Sequence, residues 1–294
     1  MALFSGIWVA MVTPFDNNAV DLPAVKRLAK HLIASGVSGL AVCGTTGEAA
    51  ALSKEEQLAV LDAVLSVVPG HQVVMGLAGN NLAGSLQMLQ AIQQRDVAGV
   101  LVPAPYYIRP CQQGLVDYFT TLADAARVPV ILYNVPYRTG VAMELETLRQ
   151  IARHPQVKAI KDCGGNPNAT MALIDDGEID VLTGEDNLIL STLCLGGSGA
   201  ISAAAHLYPE RFVQLVQQVA DGDLAAARAN FYALLPMIQQ MFSFPNPAPV
   251  KAALALQGLI HNELRSPMQP APPALRQQIA AQLALLPVAA AMTV

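Results

Sequence analysis

The 294-residue sequence is poor in charge: only 13% of its residues are Asp, Glu, Lys or Arg, about half the ~25% of an average globular chain. Disorder requires low hydrophobicity and high net charge, and at 53% hydrophobic this chain has the reverse. Seventeen basic against 22 acidic residues give −5, and no Lys/Arg cluster interrupts that balance, so no nucleic-acid partner is expected. The amino terminus, Met-Ala-Leu-Phe-Ser-Gly, lacks the basic n-region and apolar run of a signal peptide. The longest uncharged stretch, near Asn187–Pro209, is broken by Gly, Ser and His, so no membrane span is expected either. Cys43, Cys111, Cys163 and Cys194 stand far apart without a CxxC pair. Scattered buried thiols in a cytoplasmic protein explain them better than a disulfide framework or a zinc site. His31, His71, His154, His206 and His261 form no HxH or HExxH spacing, so no metal is expected.

What is present is a repeated unit. Short apolar runs occur at Ile7–Thr13, Val37–Cys43, Val73–Leu77, Gly99–Val102, Val130–Tyr133, Val157–Lys161, Ile179–Thr183 and Gly199–Ser202. Each is followed by a longer segment of helical pattern, the length of a crossover helix. The runs do not alternate apolar with polar, as expected of parallel strands covered on both faces. Ser53-Lys54-Glu55-Glu56 reads as a capped helix start leading into Leu58, Val60, Leu61 and Val64. Eight strand–helix units predict an α/β protein of the (β/α)8 TIM-barrel class over residues 1–224. An Ala- and Leu-rich helical extension follows over 225–294. A doubly wound open sheet is the alternative, but no GxGxxG follows the first run. The low charge also leaves surface to be buried between subunits.

In such a barrel, chemistry sits at the carboxyl ends of the strands. There the sequence places Gly44-Thr45-Thr46-Gly47-Glu48, Tyr107, Tyr133, Arg138, Lys161, Gly184 and Ile201. Lys161 is the informative one, because a central barrel strand rarely buries an ammonium without cause. Lys158, three residues earlier, points to the other side. An amine with the ordinary pKa of ~10.4 is almost wholly protonated at neutral pH, and a dry site can lower an amine by up to ~3–5 units. The free amine then attacks a ketone to form a Schiff base, an electron sink. A snorkelling lysine, or one paired with Asp162, is the structural alternative. Thr45 and Thr46 offer two hydroxyls and free N–H groups suited to a carboxylate, or form a tight turn before a helix. Tyr133 is a proton donor beside the lysine's strand, and Arg138 can grip a second carboxylate. Each has a bland reading as a core or surface residue. Jointly they describe a site for two acids, one of them an α-keto acid.

GTTGE at 44–48, PYYIRP at 105–110, YNVPYRTG at 133–140, KD at 161–162, TGED at 183–186 and GAIS at 199–202 resemble the ordered signature of the dihydrodipicolinate synthase family. That family lies in the N-acetylneuraminate lyase superfamily of class I aldolase barrels, and the resemblance runs over nearly the whole chain, including Pro245 to Lys251. It implies that Lys161 forms a Schiff base with pyruvate, with no cofactor. It further implies that Tyr133, Thr45 and Tyr107 relay protons, Tyr107 entering from a neighbouring subunit of a homo-oligomer, a dimer of dimers. Thr45 and Thr46 would hold the pyruvate carboxylate, Arg138 that of L-aspartate 4-semialdehyde, and Gly184 and the Ile201 carbonyl would line the pocket.

Two positions depart from the family pattern. Lys161-Asp162-Cys163 stands where Lys-Glu is usual, altering the wall beside the imine, and Tyr137 replaces a small residue, narrowing the aldehyde's entrance. Lys54, Gln57 and Gly84, beside the retained Asn80 and Tyr106, predict weak or absent inhibition by L-lysine. The rivals are a sister aldolase acting on a sugar acid, a catalytically silent barrel, and a phosphate-binding barrel resting on Gly196-Gly197-Ser198-Gly199.

Overall fold

The computed structural model describes residues 2–285. Each of the eight apolar runs is a strand: β1 (Gly6–Ala10), β2 (Gly39–Val42), β3 (Val73–Gly76), β4 (Gly99–Pro103), β5 (Val130–Asn134), β6 (Val157–Asp162), β7 (Asp180–Thr183) and β8 (Gly199–Ser202). They pair in parallel in chain order, and β8 returns to β1 to close the barrel. A two-residue hairpin, Phe15–Asp16 with Ala19–Val20, follows β1 and was not legible as a strand pair.

The crossover segments are helical: α1 (Leu22–Ala34), α2 (Lys54–Leu65), α3 (Leu82–Ile92), α4 (Gln112–Ala125), the single turn α5 (Pro136–Thr139), α6 (Leu145–Ala152), α7 (Pro167–Asp176), α8 (Ile189–Cys194) and α9 (Pro209–Ala220). The predicted start of α2 holds: the Ser53 hydroxyl accepts from the Glu56 N–H while the Glu56 carboxylate accepts from the Ser53 N–H. Three more helices follow within the extension, α10 (Leu224–Met241), α11 (Ala248–Leu256) and α12 (Pro273–Leu285). Residues 286–294 of that predicted segment lie outside the described residues.

The period of two divides the strands into two cores. Trp8, Ala41, Val74, Leu101, Ile131, Ala159 and Leu182 fill the barrel interior. Their neighbours, such as Val9, Leu40, Met75, Val100 and Ile160, pack outward against the helices. Full burial of each Val, Leu, Ile or Met among them stabilises the fold by roughly 1.5–3 kcal/mol. The register slips once, between Val130 paired with Val157 and Ile131 paired with Ala159. Lys158 is the extra residue of that bulge and is exposed, as the sequence implied for it. From Ala159 onward the alternation is strict, so Ala159, Lys161 and Cys163 share the inner face.

Close packing also accounts for Gly199. A Cβ there would overlap the Gly6 backbone where β8 meets β1, which favours packing over phosphate binding at this glycine cluster. The cysteine expectation was half right: Cys43 and Cys163 are buried, whereas Cys111 and Cys194 are exposed. Both exposed thiols sit at helix ends, Cys111 at the N-cap of α4 and Cys194 as the last residue of α8, where the chain turns through solvent. No described helix is long and apolar enough to cross a membrane.

Candidate active site

At the carboxyl end of the barrel lies a cavity of about 720 Å³ lined by Thr45, Thr46, Tyr133, Arg138, Lys161, Gly184 and Ile201. Seven of the eight residues singled out in the sequence therefore converge. The eighth, Tyr107, lies outside this cavity on the loop after β4; it is 89% exposed and holds a left-handed backbone with φ of 71°.

Parallel register brings the central pair together. Tyr133 on β5 is the direct partner of Lys161 on β6, so both side chains emerge on the inner face at the same height. Lys161 is 7% exposed, and its Nζ stands 4.5 Å from the centroid of the Tyr133 ring. Among the described residues no carboxylate pairs with that nitrogen. The proposed partner Asp162 is turned to the outer face, where it accepts from Asn134 Nδ2 (3.2 Å), the Gly164 N–H (2.9 Å) and Thr170 Oγ1 (2.6 Å). Asp162 therefore forms no part of the wall beside the amine, a correction that follows from strand alternation. Cys163 does stand on the inner face, and burial pushes its thiol up to about 12. Gly184 is required beside it, because a Cβ there would overlap both the Lys161 chain and the Cys163 sulfur.

Tyr133 is held as the neutral phenol. Burial pushes its pKa well above the ordinary range, against the opposing pull of the Thr45 hydroxyl and the Arg138 charge. A phenol that keeps its proton at neutral pH is available as a donor or as a relay.

The Gly44–Glu48 loop is set by backbone strain at both ends: Cys43 and Glu48 have φ of 51° and 55°, conformations that cost non-glycine residues of order 1–3 kcal/mol and cluster at functional sites. Thr13 Oγ1 braces the loop by donating to the Gly47 carbonyl at 2.7 Å. The N–H groups of Thr45 and Thr46 donate to no described acceptor, leaving two donors and two hydroxyls at the cavity wall. The loop does not cap α2 directly, since a short 3₁₀ turn, Ala49–Ala51, intervenes.

Sequence reasoning missed three contributors. The α10–α11 connection covers one side of the cavity with Phe242, Ser243, Phe244 and Asn246, and Asn246 Nδ2 donates to Thr46 Oγ1 at 2.8 Å. The Asn-Pro run was visible, but nothing local pointed it at a loop 200 residues earlier. Asp186 is buried beneath the cavity; its Oδ2 accepts from Ser202 Oγ (3.0 Å) and from the Ala203 and Ala204 N–H groups (3.1 and 2.6 Å), fixing the chain directly after Ile201. Burial pushes that carboxyl up to about 6. Glu185 also lines the cavity.

The same architecture recurs among known proteins. The 4-hydroxy-tetrahydrodipicolinate synthase of Leptospira biflexa is 36% identical over 269 residues, 90% of this chain and 92% of that one. Its namesake from Methanocaldococcus jannaschii is 38% identical over 268 residues, 90% and 93% of the respective chains. The crystal structure of the chloride-inhibited dihydrodipicolinate synthase from Acinetobacter baumannii, complexed with pyruvate, superimposes with a TM-score of 0.93 at 30% identity, covering 97% of this chain and 99% of that one. With the family profile matching residues 3–285, this barrel with its unpaired lysine belongs to the Dihydrodipicolinate synthetase family.

Proposed function

We propose that this protein, a class I pyruvate-dependent lyase, condenses pyruvate with L-aspartate 4-semialdehyde to 4-hydroxy-tetrahydrodipicolinate, a step of lysine and diaminopimelate biosynthesis. The observation that carries the reading is the single unpaired amine of Lys161 on the cavity wall, register-matched to a neutral phenol.

In this reading the Lys161 amine adds to the pyruvate ketone, and water leaves to give the imine. Loss of a methyl proton gives the enamine, whose carbon attacks the aldehyde. The aldehyde's own amine then displaces Lys161 as the ring closes, so the enzyme is regenerated without a cofactor. Thr45 and Thr46 receive the pyruvate carboxylate on their open N–H groups and hydroxyls, while Tyr133 and Thr45 move protons. Arg138 takes the second carboxylate at the mouth, and Gly184 and Ile201 shape the wall. Tyr107 completes the relay from a second copy in a homo-oligomer, a dimer of dimers; its outward position beside the exposed Tyr106 and Ile108 supports that assignment. The protein acts in the cytoplasm.

Borohydride reduction after addition of pyruvate, followed by mass mapping, tests the first step: a pyruvate-derived adduct is expected on Lys161, and an unmodified lysine would refute the reading. Turnover with aspartate semialdehyde, set beside sugar aldehydes, tests the second substrate. Added L-lysine inhibits weakly or not at all, since Lys54 puts a cation at the start of α2 and Gly84 offers no carboxylate for an ammonium.

A further inference from the structure

One contact at the mouth has no part in the steps above. Tyr137, on α5 after β5, is 66% exposed, yet its hydroxyl donates to Glu185 Oε1 at 3.0 Å on the loop after β7. Both side chains line the cavity. The Glu185 charge also helps keep the Cys163 thiol protonated, so groups from the ends of β5, β6 and β7 meet around one carboxylate. On the other side, the Arg138 guanidinium lies 5.8 Å from the centre of the Tyr137 ring.

The arrangement amounts to a bar across the opening. An aromatic ring carries few rotatable bonds, and tethering its polar tip removes most of the remaining freedom. The bar has a cation at its base and an anion at its tip. Tyr137 occupies only one of the roughly four lone-pair directions of the carboxylate, leaving acceptor capacity for a second donor. Arg138 is suited to a bidentate carboxylate. A molecule passing the bar toward Lys161 therefore meets a positive and a negative group at once. A neutral polyhydroxylated aldehyde can hydrogen-bond to both groups but brings no opposite charge to either, so it forgoes the charge-assisted bonds that a zwitterionic substrate makes.

We propose that Tyr137 and Glu185 set the specificity for the second substrate, admitting a short, unbranched aldehyde whose carboxylate faces Arg138 and whose ammonium faces Glu185. The proposal rests on the function proposed above and adds the residues that choose the aldehyde.

The test uses three aldehydes with the full-length enzyme: aspartate 4-semialdehyde, succinic semialdehyde, which has the same length without the ammonium, and glyceraldehyde. The variants are Glu185→Gln, Tyr137→Phe and the double variant. Glu185→Gln is expected to raise KM for the amino aldehyde about 10-fold, the worth of a charged hydrogen bond. It should leave unchanged the succinic semialdehyde concentration that half-saturates its addition to the enamine, where water rather than a substrate amine must release Lys161. Tyr137→Phe produces a smaller rise, and the double variant is no worse than Glu185→Gln, because both remove one unit. Pyruvate KM and borohydride trapping stay at wild-type values in all three. Tyr137→Ala, which removes the bar, gains turnover of glyceraldehyde, with water hydrolysing the product imine to release Lys161.

Equal effects on the amino and the amine-free aldehyde, an unchanged amino-aldehyde KM, or a parallel loss of pyruvate capture would each overturn the proposal while leaving the function standing. A wild-type enzyme that captures pyruvate but turns over only glyceraldehyde would overturn both.

Discussion

Lys161 stands at the end of β6 with an aromatic ring beside its nitrogen and no described carboxylate paired to it, whereas Lys251 in α11 is fully enclosed and saturated with partners. The second lysine forms an ion pair with Glu48, donates to the Glu263 carbonyl at 2.8 Å and lies 4.1 Å from the centre of the Phe15 ring. Burial pulls Lys251 down to about 8, with Glu48 opposing that pull. Both ammonium groups have left bulk water, a transfer that costs several kcal/mol unless it is compensated. At Lys251 the compensation is built in, and the pair ties the Gly44–Glu48 loop to the extension. At Lys161 the nitrogen has the Tyr133 ring beside it but no carboxylate within ion-pair distance among the described residues, and it faces an open cavity. Burial alone therefore does not mark the reactive group; burial without a paired carboxylate does.

Replacing each lysine by methionine separates the two cases most sharply. Lys161→Met removes the nucleophile, and kcat is expected to fall by at least ~10³-fold with loss of the borohydride adduct. Its unfolding midpoint stays at or above that of the wild type, since an ammonium without a paired carboxylate has been exchanged for an apolar group. Lys251→Met leaves Glu48 buried without its cation and should cost ~3–5 kcal/mol in urea unfolding. The fraction that remains folded still forms the pyruvate adduct. Equal loss of stability in both variants would erase the distinction.

The pair itself supplies a smaller effect. Adding Glu48→Gln to Lys251→Met removes the orphaned charge, and about half of the lost stability should return, since exchanging both partners is milder than removing one. A double variant as unstable as Lys251→Met alone would show that packing around the lysine stem, not the charge, holds the seam.

The contrast also explains what could be read from the sequence. The eight strands were legible because each is buried on both faces, and that leaves uninterrupted apolar runs such as Val37–Cys43 and Val130–Tyr133. Lys161 was legible because it interrupts such a run at the end where barrels do chemistry. Lys251 was not: in an Ala- and Leu-rich helix it reads as an exposed residue, and its partner Glu48 lies some 200 residues earlier. Asp186 was quoted within TGED without a role, because its donors come from the turn after β8. Tyr137 was noticed as a departure, but its tie to Glu185 depends on two loops being adjacent, and strand order alone does not say how loops lean. Local pattern shows which elements form and which end carries chemistry, while pairings between distant loops follow only from the closed barrel.

A third ionic contact extends the comparison to a pair that is only partly buried. Arg265 grips Glu56 through both terminal nitrogens, at 2.7 and 2.6 Å, and its guanidinium lies 4.7 Å from the Phe15 ring. It also donates to the Asn18 and Ala51 carbonyls, so it fastens the extension to the start of α2. The Arg265 hydrogen bonds, followed by the Ser53 N–H, hold the Glu56 carboxyl down at about 2. A carboxyl depressed in the folded state binds fewer protons there than in the unfolded chain. Its stabilisation is therefore complete above the unfolded value of ~4.3 and is lost as pH falls through about 2. Because a third of the Glu56 side chain remains exposed, solvent screening reduces the contribution to ~1 kcal/mol. Glu56→Gln should thus be ~1 kcal/mol less stable than the wild type in urea unfolding at pH 7, with the gap closing toward pH 2. A gap independent of pH would mean that the Glu56 charge does not carry the contact, and a gap as large as that of Lys251→Met would mean that screening at this seam is as weak as in the enclosed pair.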